Sequence, residues 1–310
     1  GFRQKNTFFK CEKVFPEIQK DSKTLLLVLD NLRYDHWVAL RPLLSEYFSV
    51  EDDSLYFSIL PTTTQYARNA LFSGLMPADL EKLYPDLWVD DEDDESKNLH
   101  EEEMLVTQLK RLGYSERIYF DKITNINTGK NLNDRLAHIS QSHFSVLVHN
   151  FIDILSHART EMNMIKELAN DEAAYRSLTV SWFTHSPLFE MLQELSRRKV
   201  NILITTDHGS VNIQNPIKVL GDRNVNTNLR YKQGKALQYN KKEVFEITRP
   251  IDARLPQSHL SSAYIFATNQ DFFAYPNNYN YYVKYYKDTF QHGGISLEEM
   301  IIPFVSLKAI

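Results

Sequence analysis

Six side chains of the kinds that bind divalent metal ions follow predicted buried strands or precede glycines. They are Asp30, Asp153, His157, Asp207, His208 and His292. In a parallel sheet the carboxyl ends of the strands meet at one edge, so these side chains are expected to lie close together. Carboxylate oxygens and imidazole nitrogens suit borderline divalent ions such as zinc, and six candidates are enough for two ions.

The spacing of these residues supports the same interpretation. Asp153 and His157 are four residues apart, which places both on one side of a helix if one begins after Asp153. The Asp-His-Gly run at 207–209 can present adjacent ligands to two nearby ions, and the His-Gly-Gly run at 292–294 places an imidazole on a loop of low bulk. Taken singly, each pattern also fits a turn or a hydrogen-bonded core histidine.

Three consecutive threonines at 62–64 lie in the stretch "SILPTTTQYARNALFSG", between a predicted strand and a short helical pattern that ends at Gly74. Threonine is a favoured helix N-cap, and capping alone accounts for most residues in such positions. A hydroxyl at a strand end can also serve as a nucleophile when a metal ion activates it. The residues alone leave both roles open.

The elements that must position these groups alternate along the chain. Apolar runs predict buried strands, and they are "TLLLVLD", "SLYFSIL", "RIYF", "HFSVLVHNFID", "KVNILITTDHG", "SSAYIFAT" and a last run in "MIIPFVSL". Helical patterns occupy 101–113 and two stretches between about 155 and 199. The alternation predicts a doubly wound, mostly parallel α/β sheet. The polar stretch 211–258 is predicted to be a small inserted lid.

Composition narrows the class of protein. The formal net charge of −5 argues against a surface that coats nucleic acid, although it allows one small anionic substrate. Cys11 is the single cysteine, which excludes an internal disulfide and fits a reducing cytoplasm. The sequence has no apolar run of about 18 residues that would span a membrane.

The order Asp, Thr, Asp-x-x-x-His, Asp-His, His resembles that of the alkaline phosphatase superfamily. The nearest resemblance is to the PglZ domain found at the C-terminus of PorX-like response regulators of Bacteroidetes. The matching segments are "LLLVLDNLRYD", "LPTTTQYARNALFSGLMP", "NFIDILSH", "LITTDHG" and "QHGGISLEEMIIP". They extend from about residue 24 to 310, and "HGGISLEEMIIP" is the most family-specific of them.

The resemblance implies an alkaline-phosphatase-type domain over 23–310, preceded at 1–22 by the end of a linker; the mix of charged and aromatic residues there also fits a helical lead-in. It also implies two Zn²⁺ ions. One ion would be held by Asp30, Thr64, Asp207 and His208, and the other by Asp153, His157 and His292. Thr64 would be the nucleophile, because its distance in sequence to Gly74 matches the family pattern. The other two threonines would shape the turn.

The function implied is that of a cytoplasmic phosphodiesterase acting on cyclic or short oligonucleotides. A receiver domain upstream, two-component signalling, type IX secretion and a possible homodimer belong to the same resemblance. Two alternatives remain: a phosphomonoesterase, and an interaction or dimerisation output domain with a mainly structural zinc site. A phosphomutase is disfavoured, because the insertion at 211–258 is short.

Three basic residues are further candidates for substrate binding. Arg68 follows Thr64 by four residues and could face the phosphate side of a helix. Arg230 and Lys235 belong to the polar insertion and could meet an anionic substrate, although charged loop residues are usually only solvated. The tyrosine-rich stretch 275–286 could stack nucleobases, or it could serve packing or a partner surface.

Overall fold

The computed structural model describes residues 14, 18, 22–89, 98–124, 132–161, 171–221, 226–257, 259 and 261–310. The predicted linker at 1–22 therefore falls almost wholly outside the described residues. The strands are β1 Thr24–Leu29, β2 Phe48–Phe57, β3 Tyr119–Ile123, β4 Phe144–His149, β5 Asn201–Thr205, β6 Val211–Asn212, β7 Asn215–Lys218, β8 Tyr231–Gly234, β9 Phe245–Ile247, β10 Ala263–Phe266, β11 Asp271–Ala274, β12 Phe290–Gln291 and β13 Ile301–Ala309.

The described residues also form α-helices and shorter helical turns. The α-helices are α1 Tyr34–Leu44, α2 Asn69–Ser73, α3 Pro77–Leu83, α4 Glu101–Arg111, α5 Leu132–Gln141, α6 Phe151–Glu161, α7 Glu172–Thr184, α8 Pro187–Arg197, α9 Tyr279–Tyr286 and α10 Leu297–Met300. A π-helical segment, Thr64–Arg68, leads directly into α2. Short 3₁₀ turns cover Pro85–Leu87 and Pro250–Ala253.

The chain forms two compact units, each assembled from segments distant in sequence. The central-sheet unit contains Phe9–Phe57, Gly113–Gly209 and Ile301–Ile310. The second unit contains Ser58–Leu112 and Ser210–Met300.

The central-sheet unit is built on six strands in the order β2-β13-β5-β1-β4-β3. The pairs β3–β4, β4–β1 and β1–β5 are parallel, whereas β13 runs antiparallel to both β5 and β2. This confirms the predicted mixed α/β class with a mainly parallel sheet. Every residue of β1 is buried, as expected for a strand covered on both faces. Ligands of open α/β sheets bind beyond the carboxyl ends of such central strands.

Two predicted strands end earlier than the sequence suggested. β2 ends at Phe57, so the chain leaves the sheet before the threonines at 62–64 rather than running into them. Pro61, which has no N–H to donate to a ladder, lies between the two. The run "HFSVLVHNFID" is a strand only to His149, and α6 begins at Phe151, before Asp153.

The second unit contains several small sheets in place of a continuation of the central one. β8, β10 and β9 form an antiparallel three-stranded sheet, while β11 pairs with β7 and β12 pairs with β6. The run "SSAYIFAT" was predicted to resume the central sheet, and this is wrong, because its strand β10 pairs only with β8 and β9 among the described residues. Four short strands, β6 to β9, lie within the predicted insertion at 211–258.

Candidate metal centre

Asp30, Asp207 and His208 meet at the carboxyl edge of the central sheet. His208 Nε2 lies 3.7 Å from Asp30 Oδ1 and 3.7 Å from Asp207 Oδ2. One ligand atom from each of the three residues lies within 4.8 Å of the others. All three side chains are buried, with residue exposures of 0 to 1%. The structure thus brings together three of the six residues first singled out in the sequence.

Their positions follow from the parallel pairing of β1 with its neighbours. Asp30 comes directly after β1, and its N–H donates to the carbonyl of His149 at the end of β4 (3.0 Å). Thr206 follows β5, and its hydroxyl accepts a hydrogen bond from the Leu32 N–H (3.1 Å) while lying 3.2 Å from Asp207 Oδ1. The exits of β1 and β5 are therefore joined by hydrogen bonds next to the cluster.

The half-buried side chain of Tyr56 stabilises the same strand exit. The hydroxyl of Tyr56, on β2, lies 2.7 Å from Thr205 Oγ1 and donates to the carbonyl of Thr206 (2.8 Å). Burial raises the pKa of Tyr56 well above its usual value of 10, so the phenol keeps its proton. Tyr56 therefore acts as a fixed donor that holds the backbone one residue before Asp207.

The imidazole of His208 is oriented by its own loop. Its Nδ1 lies 3.1 Å from the carbonyl of Gly209, and the main-chain N–H of His208 donates to Asp207 Oδ1 (3.1 Å). With the ring proton on Nδ1, directed at that carbonyl, Nε2 presents its lone pair toward the two carboxylates. This is the usual arrangement around a metal-binding histidine.

The donor set fits a divalent cation. Two carboxylates held this close in a buried position repel each other, and burial of a charge is costly unless an opposite charge compensates it. Carboxylate oxygens and imidazole nitrogens are both zinc ligands, and three protein ligands leave a fourth position open for a substrate. Asp30, Asp207 and His208 could together hold such an ion.

Asp153 and His157 form a second pair in the same unit. Both lie on α6, and His157 Nε2 is 3.5 Å from Asp153 Oδ2, as expected for residues four apart on a helix. Asn31 Nδ2 donates to Asp153 Oδ1 (3.4 Å), which links this pair to the residue next to Asp30. The predicted helical pairing is confirmed, although α6 starts two residues before Asp153.

His292 lies in the second unit, where Thr62 holds its loop. The Thr62 hydroxyl accepts from the Gly293 N–H (3.0 Å) and donates to the Gly294 carbonyl (2.9 Å). The Thr62 carbonyl lies 3.2 Å from His292 Nδ1. Because a carbonyl can only accept a hydrogen bond, this contact places the ring proton on Nδ1 and the lone pair on Nε2. The first threonine of the triplet thus fixes the loop that carries a predicted ligand.

Asn228 holds the same loop from the other side, and nothing in the sequence indicated it. Its Nδ2 donates to the His292 carbonyl (3.2 Å), and its Oδ1 accepts from the N–H groups of Arg230 (2.7 Å) and Tyr231 (3.1 Å). Gly293 has φ +121°, and a Cβ there would come within 2.7 Å of Asn228 Oδ1. Glycine is therefore required at 293 both by backbone conformation and by space.

Thr64 is the first residue of the π-helical segment that leads into α2, and it is half-buried. Gly74 ends α2 in the left-handed conformation, with φ +65°. A Cβ on Gly74 would collide with the side chain of Gln108 at 2.3 Å. The glycine on which the assignment of Thr64 relied is thus needed for helix termination and for packing.

Two of the three basic candidates are buried and ion-paired, and the third is exposed. Arg68 is 1% exposed, and its Nε lies 3.1 Å from Glu101 Oε1. Arg230 is 0% exposed and makes a two-point ion pair with Glu299, with Nη2–Oε2 at 2.6 Å and Nε–Oε1 at 3.1 Å. Lys235 is exposed. Burial and pairing make Arg68 and Arg230 internal structural groups, so neither supports the predicted contact with a substrate.

Comparison with known families gives one decisive match. The pattern of the family described as "BREX system PglZ alkaline phosphatase-like domain" matches residues 8–307. The chain belongs to the PglZ family. None of the curated proteins matches it.

Solved structures similar to this PglZ domain include other members of the alkaline-phosphatase-type fold. Phosphonoacetate hydrolase from Sinorhizobium meliloti 1021, in complex with phosphonoacetate, is 10% identical, with a TM-score of 0.50 over 92% of this chain and 89% of that chain. Alkaline phosphatase from the Antarctic bacterium TAB5 is 8% identical, with a TM-score of 0.34 over 91% and 90% of the two chains. The C-terminal periplasmic domain of EcEptC from Escherichia coli, in complex with Zn, is 9% identical, with a TM-score of 0.32 over 81% and 74%.

The described part of this PglZ domain contains no helix that is both long and apolar enough to cross a membrane.

Asp207→Asn is expected to be at least as stable as wild type without metal, and less stable than wild type when Zn²⁺ is bound. Without metal, Asp207→Asn removes one of two neighbouring buried carboxylates and should leave the free energy of unfolding equal or higher. With Zn²⁺ at 1,000 times its dissociation constant, wild type should gain about 4 kcal/mol and the variant much less. Urea unfolding with EDTA or with Zn²⁺ measures both. An equal gain from Zn²⁺ in the two proteins would exclude Asp207 as a ligand.

Loss of the Thr62 hydroxyl is expected to destabilise the second unit. Thr62→Val keeps the side-chain shape but leaves the Gly293 N–H and the Gly294 carbonyl without their partner, at a cost of about 1–3 kcal/mol. Thr62→Ser keeps the hydroxyl and should lose much less. Urea unfolding gives the stability, and hydrogen exchange at Gly293 reports directly on the loop. Unchanged exchange in Thr62→Val would contradict the hydrogen bond.

Proposed function

We propose that this chain is a zinc-dependent phosphodiesterase that acts on cyclic or short oligonucleotides, with Thr64 as its nucleophile. The observation that carries the proposal is the convergence of Asp30, Asp207 and His208 at the sheet edge of a PglZ-family chain. Buried carboxylates and an imidazole have no apolar packing role that would favour their clustering. Hydrolysis of a phosphate ester can use such a cluster to hold a metal ion.

The ligand sets of the proposal follow the family resemblance. Asp30, Asp207 and His208 would hold one zinc ion together with the Thr64 oxygen, and Asp153, His157 and His292 would hold the other. Bound zinc supplies positive charge that lowers the pKa of a coordinated hydroxyl and stabilises charge on phosphoryl oxygens. In the structure, Gly209 and Thr62 already hold the Nδ1 side of the two loop histidines, which leaves each Nε2 available as a ligand atom.

In the proposed reaction the Thr64 Oγ attacks the phosphorus of a diester. The bond from Oγ to phosphorus forms while the bond to one ester oxygen breaks, and the proton of the Thr64 hydroxyl ends on the departing alcohol. Water then cleaves the phosphothreonine ester, which releases a phosphomonoester and returns a proton to Thr64. The N-terminal position of Thr64 in its helical segment adds main-chain N–H groups suited to phosphoryl oxygens.

The choice of a diester rests on the resemblance and on the polar, partly basic insertion at 211–258, which could hold a second substituent. The net charge of −5 disfavours a protein that tracks along duplex nucleic acid and is compatible with a small or short substrate. A cytoplasmic location and control by an upstream receiver domain belong to the same proposal and rest on the resemblance alone.

Hydrolysis of bis(p-nitrophenyl) phosphate tests the proposal. Protein stripped with EDTA should be inactive, and addition of Zn²⁺ should restore release of p-nitrophenol. p-Nitrophenyl phosphate assayed in parallel reveals a preference for monoesters, which would favour the phosphomonoesterase alternative. A protein that binds zinc and hydrolyses neither compound would overturn the catalytic proposal.

A further inference from the structure

Helix α9 exposes an unusual number of aromatic rings to solvent. Its sequence is "YNYYVKYY", and none of its residues is fully buried. Tyr281 is 65% exposed, Tyr282 40% and Tyr285 39%. Large aromatic side chains normally contribute buried area, so exposed rings clustered on one helix indicate a contact surface.

The opposite face of α9 explains how the helix is held. Tyr279, Val283 and Tyr286 pack against the apolar cluster formed by Val211, Ile213, Phe272 and Ala274. On an α-helix these three residues share one side, Tyr281 and Tyr285 fall on the other, and Tyr282 lies at the edge of the packed side. Tyr281 and Tyr285 are therefore not needed to attach the helix to its unit.

The exposed rings are arranged in an ordered way. Tyr281 and Tyr285 are stacked with centroids 6.2 Å apart and an interplanar angle of 14°. Tyr282 and Tyr286 form a parallel pair at 6.2 Å and 13°. Rings in such rows present flat, amphipathic surfaces at a low cost in side-chain entropy, because each has only two rotatable bonds.

The charges around these rings are mainly positive. Lys284 is exposed on the same side of the helix as Tyr281 and Tyr285, and Lys287 is exposed at its end. Lys218 Nζ lies 4.9 Å from the centroid of the Tyr279 ring. Asp288, also exposed, is the acidic residue that follows Lys287. Aromatic rings interspersed with lysines favour a ligand that has both flat apolar groups and negative charge.

Hydrogen bonds and a short strand pairing connect the end of the helix to the loop of His292. Thr289 Oγ1 donates to the Tyr286 carbonyl (2.6 Å), which closes the helix end. Phe290 and Gln291 then pair with Asn212 and Val211, and His292 follows directly. His292, a proposed metal ligand of the same unit, therefore follows the end of α9 by only a few residues. An oligonucleotide bound along α9 would lie close to it.

We propose that the tyrosine face, defined as Tyr281, Tyr282, Tyr285 and Lys284, binds single-stranded oligonucleotides by stacking their bases on the rings and placing phosphates near the lysine. Single strands fit because only unpaired bases expose their faces for stacking on aromatic side chains. Binding is independent of catalysis, whereas the role of this face in presenting a diester for cleavage rests on the proposed function.

The test measures fluorescence anisotropy of fluorescein-labelled 12-nucleotide RNA and DNA in EDTA, so that no cleavage occurs. Wild type should bind both single strands more tightly than the matching duplex. The double variant Tyr281→Ala/Tyr285→Ala should weaken binding about tenfold or more, since loss of a stacking ring commonly costs this much per base. Tyr281→Phe/Tyr285→Phe keeps the rings and should bind like wild type. Tyr34→Ala, which removes a 38% exposed ring elsewhere, serves as the matched control.

Each result has a defined meaning. Equal affinity of wild type and the double alanine variant, or no binding by wild type, overturns the proposal. Light scattering could instead show that wild type is a dimer, that the double alanine variant is a monomer, and that no oligonucleotide binds. That result would identify the face as a self-association surface and would also overturn the proposal. The hydrolysis assay with bis(p-nitrophenyl) phosphate is separate. Oligonucleotide binding that the double alanine variant loses, together with no hydrolysis by the zinc-loaded wild type, would therefore support this face and reject the catalytic proposal.

Discussion

Zinc-loaded Thr64→Val is expected to hydrolyse bis(p-nitrophenyl) phosphate about a thousandfold or more slowly than wild type, because removal of a nucleophile commonly costs at least this much. Valine replaces the hydroxyl by a methyl group of similar size, so the helical segment that begins at Thr64 should form as before. Thr64→Ser restores a hydroxyl and should recover part of the rate. Initial rates at saturating substrate measure the effect.

The neighbouring threonine provides a matched control. Thr63 is 6% exposed, and its hydroxyl has no hydrogen-bond partner within the described residues. Thr63→Val therefore makes the same chemical change one residue away and should keep most of the activity. Zinc content, measured by mass spectrometry on each variant, separates loss of the nucleophile from loss of metal. Activity of Thr64→Val within tenfold of wild type would reject Thr64 as the nucleophile.

Arg230→Met is expected to lower the free energy of unfolding by about 3–5 kcal/mol, because it leaves the buried Glu299 carboxylate without its cation. Glu299 Oε1 also accepts the Gly294 N–H (2.9 Å), so the effect should extend to the loop of His292. Urea unfolding at fixed metal concentration gives the change. The double variant Arg230→Met/Glu299→Leu removes both charges and should recover part of the loss.

Lys235→Met is the control for this prediction, since Lys235 was a substrate-binding candidate of the same kind and is exposed. Its stability should stay within about 0.5 kcal/mol of wild type. A stable Arg230→Met protein with a raised KM for the diester would contradict the structural assignment of Arg230. It would restore the interpretation that the sequence suggested.

Strand positions near the candidate metal centre were predictable because a strand buried on both faces leaves a continuous apolar run. Leu25 to Val28 are all buried, and the polar residue after the run, Asp30, marks the sheet edge. The apolar pattern of a strand does not show which other strands it pairs with. For this reason β10, as apolar as a central strand, was assigned to the wrong sheet.

Side-chain roles that depend on distant partners were less predictable. Arg230 lies in a polar stretch that suggests exposure, while its partner Glu299 is 69 residues away in sequence. The hydroxyl of Thr62 finds its partners, Gly293 and Gly294, more than 230 residues later. Both contacts exist only after the loops come together, and neither produces a local pattern. The pairing of Asp153 with His157 was predictable because a helix alone creates it.

The insertion of β13 between β2 and β5 has a consequence for biosynthesis. β2 pairs only with β13 among the described strands, and the 243 residues between Phe57 and Ile301 must be translated before that partner exists. At 5–20 residues per second this takes roughly 12–50 s, during which β2 is exposed to other nascent chains. Glu51, Asp52 and Asp53 place three negative charges in this strand. Charges in an unpaired strand oppose edge-to-edge aggregation, so we expect this acidic run to protect β2 until residues 301–309 have been synthesised.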